Sequence, residues 1–148
     1  MRAAKKIVLV EDDARDVELT LLALEESGAG GNVHIASSGI DALDYLHRRG
    51  RFSGHEDGLP SVILLDIKLP LLSGLEVLRE IKQHAELRQV PVVMLTSSRE
   101  ESDVGESYRL GANAYVVKPV NFPEYIDAVK GLSKFWMELN EPPPGSMR

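Results

Sequence analysis

The 148-residue sequence predicts an α/β domain: a five-stranded parallel sheet with helices on both faces, forming three layers. Two observations predict it. Four short apolar runs are continuous rather than alternating: Ile7-Val8-Leu9-Val10, Val62-Ile63-Leu64-Leu65, Val92-Val93-Met94-Leu95 and Tyr115-Val116-Val117. Such runs, rich in β-branched residues, mark strands covered on both faces. The segments between them carry helical spacing, so the chain reads as five alternating strand–helix units.

In chain order, the first strand is followed by a helix with Val17, Leu21 and Leu24 at i, i+4 and i+7, closed by Gly28. A weaker strand, Val33-His34-Ile35-Ala36, suits an outer position. Ile40, Leu43 and Leu46 share one face of the second helix. The connection from Arg48 to Pro60, rich in Gly, Ser and charge, is long and irregular. Ser73-Gly-Leu-Glu76 is a capping-box pattern opening a third helix with Leu75, Leu78 and Ile81 on its apolar face, and Val77 close by. Ser98-Arg-Glu-Glu101 is a second such pattern, before a weak helix over Glu100–Leu110. Its apolar residues are chiefly Val104, Tyr108 and Leu110, and its interior Gly105 costs ~1 kcal/mol relative to Ala. Gly111 ends it.

Asn121, Pro123 and Glu124 start the last helix. There Tyr125, Val129, Leu132 and Trp136 form a stripe that Ala128, Phe135 and Leu139 widen. A helix covering one sheet face needs a narrower band, so the excess is either core packing with tail contacts or a contact surface. On the second reading a homodimer through the fourth helix, fifth strand and fifth helix is expected. The Pro-rich end from Glu141 to Arg148 cannot continue a helix. The expected organisation is a domain over 5–139, a flexible tail over 140–148 and no output domain.

Composition narrows the function. Apolar residues make up 43% of the chain and charged residues 27%, enough for one core and an ordinary polar surface. With 17 basic against 23 acidic residues the net charge is −6, which disfavours binding nucleic acid through its phosphates. The absence of cysteine excludes disulfides, thiol catalysis and Cys-type zinc sites. No apolar run approaches the roughly 20 residues that span a bilayer, and the start Met-Arg-Ala-Ala-Lys-Lys is unlike a signal peptide. No membrane association and a cytoplasmic location are expected. The four histidines, His34, His47, His55 and His84, lack metal-ligand spacing and read as surface residues.

In open α/β sheets, ligands bind beyond the carboxyl ends of the strands. The first strand runs into Glu11-Asp12-Asp13, the third into Asp66, the fourth into Thr96-Ser97-Ser98 and the fifth into Lys118-Pro119. Taken singly, each has an ordinary explanation. An Asp after a strand is a turn residue or cap, an acidic triplet suits a helix N-terminus, a Thr caps, and a Lys is solvated. Together they supply the parts of phosphoryl transfer. Asp12 and Asp66 could hold Mg²⁺, with Glu11 binding directly or through water. Asp66 could be the nucleophile, and Lys118 and Thr96 could hold the transferring oxygens.

The ordered set Val-Leu-Val-Glu11-Asp12, Leu-Leu-Asp66-Ile-Lys68-Leu-Pro70, Ser-Gly74, Leu-Thr96-Ser and Gly111-Ala-Asn-Ala-Tyr115-Val-Val-Lys118-Pro119 resembles the receiver domains of two-component response regulators. The resemblance covers about Lys5 to Leu139. It implies a flavodoxin-like (βα)₅ fold with strand order 2-1-3-4-5. It implies that Asp66 is the phosphoacceptor, and that Glu11, Asp12, Asp66 and the Lys68 backbone carbonyl form a site for Mg²⁺ or Mn²⁺. Thr96 and Lys118 would bind the phosphoryl group, Thr96 and Tyr115 would be the switch pair, and the Lys118–Pro119 bond would be cis. A partner sensor histidine kinase and an unknown downstream protein follow.

More narrowly, three features resemble the small regulators paired with bacterial phytochromes. These are the long 48–60 connection, the ending Lys130-Gly-Leu-Ser-Lys-Phe135-Trp136, and the lack of an output module. Lys68, Ser97 and Ser98 flank the site and are expected to tune dephosphorylation. For Lys68 the alternative is a solvated side chain that contributes only its carbonyl.

Two rival functions are weighed. A phosphatase of the haloacid dehalogenase type also uses an Asp nucleophile, but carries a second Asp two positions on as general acid. Lys68 holds that place, so stored phosphate rather than enzymatic turnover is expected. A flavin-binding module needs a Gly-rich phosphate loop after the first strand, which is missing.

Overall fold

The computed structural model describes residues 5–146. Residues 1–4, on which the reading against a signal peptide partly rests, and residues 147–148 of the expected tail lie outside the described residues. Five strands, β1 (Ile7–Val10), β2 (Val33–Ala36), β3 (Val62–Leu65), β4 (Val92–Thr96) and β5 (Ala114–Val117), pair in parallel in the order β2-β1-β3-β4-β5. Between and after them lie α1 (Ala14–Glu26), α2 (Gly39–His47), α3 (Gly74–Gln83), α4 (Glu101–Arg109) and α5 (Phe122–Ser133). This is the expected flavodoxin-like arrangement.

Alternation along the central strands divides the core into two layers. Val8, Val10, Ile63, Leu65, Val92 and Met94 face one side, against Ala42, Leu43 and Tyr45 of α2 and Val77, Leu78 and Ile81 of α3. Ile7, Leu9, Val62, Leu64, Val93 and Leu95 face the other, against Ala23 and Leu24 of α1 and Tyr125, Ile126 and Val129 of α5. No helix among the described residues is long and apolar enough to cross a membrane.

Several local expectations change. Ile40 is exposed, and Tyr45 takes its place in the core. Ser73 and Glu76 form the expected capping box and Asn121 accepts from the Glu124 N–H, but Ser98 does not cap α4. The helix begins three residues later, because the Ser98 hydroxyl turns to the Asp103 carboxylate at 2.5 Å. Beyond Ser133 the last helix widens into a π-helical turn over Lys134–Leu139, where Met137 is buried while Phe135 and Leu139 are exposed. The histidines are half-buried rather than surface residues. His34 stacks on Tyr45 at 3.7 Å, His55 stacks on the same ring at 4.4 Å, and His47 meets His84. The connection before β3 contains a short 3₁₀ turn, and its Leu59 bridges to Ser146 of the C-terminal stretch.

One glycine shapes the site. The turn after β3 folds tightly, with the Leu69 and Gly74 N–H groups donating to the Ile67 carbonyl. A Cβ on Gly74 would lie 1.9 Å from the Asp66 carbonyl oxygen. Only glycine permits α3 to start this close to Asp66. Gly74→Ala is expected to destabilise the protein by about 1–3 kcal/mol, as overpacking against fixed backbone does. Urea melts read this, and an unchanged midpoint would contradict the role.

Candidate active site

Each functional side chain sits where its strand ends, at the edge where the order reverses between β1 and its neighbours β2 and β3. Glu11 and Asp12 follow β1, Asp66 follows β3, Thr96 closes β4 and Lys118 follows β5. They line one open cleft together with Asp13, Asp16, Lys68 and Ser97. All the site residues expected from the sequence lie in or beside this cleft.

At its centre is the Lys118 ammonium, which contacts Glu11 Oε1 at 2.5 Å, Asp16 Oδ2 at 2.8 Å and Asp66 Oδ2 at 3.2 Å. Its side chain is 6% exposed. The second oxygen of Asp66 accepts the Ile67 N–H at 2.7 Å, and the second oxygen of Glu11 accepts the Asp13 N–H. Both carboxylates are thus oriented by backbone as well as by lysine. The Lys118–Pro119 bond is trans rather than cis. The lysine reaches the carboxylates from this geometry, anchored by its own N–H on the Thr96 carbonyl at 2.7 Å.

Asp16 is the residue that reading the strand ends missed. It lies in the first turn of α1, one turn beyond the acidic triplet, and the only sequence signal for it was an acid at that position. Asp13, by contrast, leaves the site chemistry. Its carboxylate caps α1 by accepting from the Arg15 and Asp16 N–H groups.

Glu11, Asp12 and Asp66 each offer a carboxylate oxygen, and the three oxygens lie within 4.8 Å of one another. An all-oxygen acidic set, one member of it exposed, suits a hard divalent cation that keeps part of its water. Lys68 is exposed at the cleft mouth. Thr96 is 1% exposed and its hydroxyl accepts the Ser98 N–H at 3.3 Å. Tyr115 is half-buried, turned toward the β4–α4 loop, where its hydroxyl donates to the Ser98 carbonyl at 2.9 Å.

Burial pushes the Glu11 carboxyl up to about 7, against the pull of Lys118, and the Asp66 charge adds to the rise. For Lys118 burial acts to lower the value, but hydrogen bonds to Asp16 and Glu11 and the charge of Asp66 outweigh it and hold the ammonium charged. In the metal-free protein, folding therefore raises Glu11 from 4.5 to about 7. Its neutral form contributes stability fully below about pH 4.5, and that contribution is lost as pH rises through 7. Glu11→Gln, which cannot titrate, should gain on the wild type in metal-free urea melts as pH rises from 5 to about 7.5. A difference independent of pH would contradict this.

Comparison with known proteins agrees with the geometry. The family model for the response regulator receiver domain matches residues 7–130. Response regulator Rcp1 of Synechocystis sp. is 39% identical over 134 residues, covering 90% of each chain. A crystal structure of the Mn(2+)-bound form of Rcp1 superposes with a TM-score of 0.87, at 38% identity, covering 94% of this chain and 99% of that one. The phosphorylated cyanobacterial phytochrome response regulator RcpA superposes with a TM-score of 0.89 at 38% identity, covering 95% and 99%. The bacteriophytochrome response regulator RtBRR is 58% identical, with a TM-score of 0.76 and coverage of 97% and 87%. On the family model matched over residues 7–130 and relatives this similar over most of their length, this chain belongs to the response regulator receiver family.

Proposed function

We propose that this chain stores a signal as a phosphoryl group on Asp66, received from the phosphohistidine of a partner sensor kinase. The observation that carries the reading is the Asp66 carboxylate, held between the Lys118 ammonium and the Ile67 N–H and open to the cleft. In the transfer, a carboxylate oxygen of Asp66 bonds to phosphorus, the phosphorus–nitrogen bond to the kinase histidine breaks, and the imidazole leaves with the bonding pair. Lys118 and Thr96 hold phosphoryl oxygens as the bond forms. Glu11, Asp12, Asp66 and the Lys68 carbonyl would hold a divalent cation, Mg²⁺ or Mn²⁺, which would supply charge neutralisation when bound. Arg15, Leu19, Val120 and Phe122 line an adjoining hollow that offers the kinase an apolar and basic rim.

The likeness to RcpA and RtBRR supports a bacterial phytochrome as the sensor. The Lys68 side chain, exposed at the mouth, lengthens the life of the acyl phosphate by shielding it from water. Storage rather than turnover follows from the lack of a second acid in its place. A homodimer through α4, β5 and α5 is favoured by the half-buried edge strand β5 and by exposed Tyr108, Phe135 and Leu139.

Incubation with acetyl phosphate and Mg²⁺, followed by intact mass measurement, tests the reading. Wild type should gain one phosphate and Asp66→Asn none; equal gain in both would overturn it. Following the same sample with time should show faster loss in Lys68→Asn, and its sedimentation should show a dimer. An unchanged lifetime removes the role of Lys68, and a monomer at high concentration removes the interface.

A further inference from the structure

Helix α4 is held differently from the other four. Of its nine residues only Ser107 is buried, and the Ser107 hydroxyl donates to the Asp103 carbonyl at 2.7 Å. Its N-cap residue, Glu100, makes no side-chain capping bond. Apolar packing therefore fixes little of this helix, and polar contacts at its first turn decide where it lies.

Those contacts converge on Ser98, which is 8% exposed and uses every polar atom it has. Its N–H donates to Thr96 Oγ1 at 3.3 Å and its carbonyl accepts the Tyr115 hydroxyl at 2.9 Å. Its hydroxyl accepts the Glu100 N–H at 3.3 Å and donates to Asp103 Oδ2 at 2.5 Å. A hydrogen bond to an ionised carboxylate is among the stronger kinds. One residue thus touches the phosphoryl-binding threonine, the aromatic residue of β5 and the first turn of α4.

We propose that Ser98 and Asp103 form a clasp that ties α4 to Thr96, with Asp103 the positioning residue through which the state of Asp66 reaches α4. The proposal rests on the phosphoacceptor reading above. The Thr96 hydroxyl has one proton to donate and lone pairs to spare. When it donates to a phosphoryl oxygen it still accepts the Ser98 N–H, so Ser98 moves with it. Ser98 then draws Asp103, and the weakly packed helix follows as a unit. Without the carboxylate the same movement ends in the loop. Asp103 touches neither the phosphoryl group nor the cation site, so its removal leaves phosphorylation intact and severs the transmission.

The test uses amide chemical shifts of the full chain with and without beryllofluoride and Mg²⁺, a mimic of the phosphoryl group. In the wild type, shifts should occur at Asp66, Thr96, Tyr115 and across 101–109. In Asp103→Ala, shifts at Asp66 and Thr96 should persist while those across 101–109 are lost. Asp103→Asn, which retains an acceptor for the Ser98 hydroxyl, should restore them; a merely structural helix start would not give this rescue. Full shifts across 101–109 in Asp103→Ala would overturn the clasp. So would melting of α4 in that variant before the mimic is added, since the pair would then be a cap. Absence of shifts at Asp66 in the wild type would instead overturn the phosphoacceptor reading itself.

Discussion

One buried ammonium holds the site together. Glu11, Asp12, Asp16 and Asp66 gather at one sheet edge, and without a cation among them their charges would repel. Lys118 stands at the end of β5, beyond β4 from Asp66, and its long stem carries the charge across that distance to three carboxylates at once. Burying so many charges is costly. Removing one partner of a buried pair leaves an uncompensated charge and typically costs about 3–5 kcal/mol. The lysine is therefore structural as well as chemical. The charge that holds these carboxylates together is the one that, under the proposed function, would meet a phosphoryl group.

The rest of the fold sets that charge in place by two different means. The central strands are fixed by apolar layers on both faces, so the strand ends at Glu11, Asp66 and Thr96 have little freedom. Gly74 lets α3 begin against the Asp66 carbonyl, which fixes the backbone of Asp66. Helix α4 lacks this kind of anchoring and is governed by hydrogen bonds radiating from Ser98. A rigidly held carboxylate beside a lightly held helix is the physical basis for the proposed switch, in which chemistry at Asp66 would shift α4 at small energetic cost.

Much of this was legible in the sequence, for a reason that applies to parallel sheets in general. Strands buried on both faces announce themselves as unbroken apolar runs, and the residue after each run must lie at the ligand-binding edge. Glu11, Asp66, Thr96 and Lys118 were found that way. Asp16 was not, because it reaches the site from within a helix, where an acid near the N-terminus has a sufficient explanation in the helix dipole. Ser98 was misread as a cap because its spacing to Glu101 fits the pattern, and only three dimensions show Asp103 competing for its hydroxyl. Met137, buried on the π-helical turn after Ser133, was left out of the expected stripe, although it continues the face of Ile126, Val129 and Ser133. The stacking of His34 and His55 on Tyr45 depends on a long connection whose path no periodicity encodes.

The central claim is that Asp66, and no other carboxylate of the cluster, bears the phosphoryl group. Borohydride reduces an acyl phosphate to an alcohol, so it marks the acceptor covalently. Treating the phosphorylated protein with borohydride and mapping its peptides should find homoserine at position 66 alone. Reduction at Asp12, Asp16 or Glu11, or none anywhere, would contradict the account.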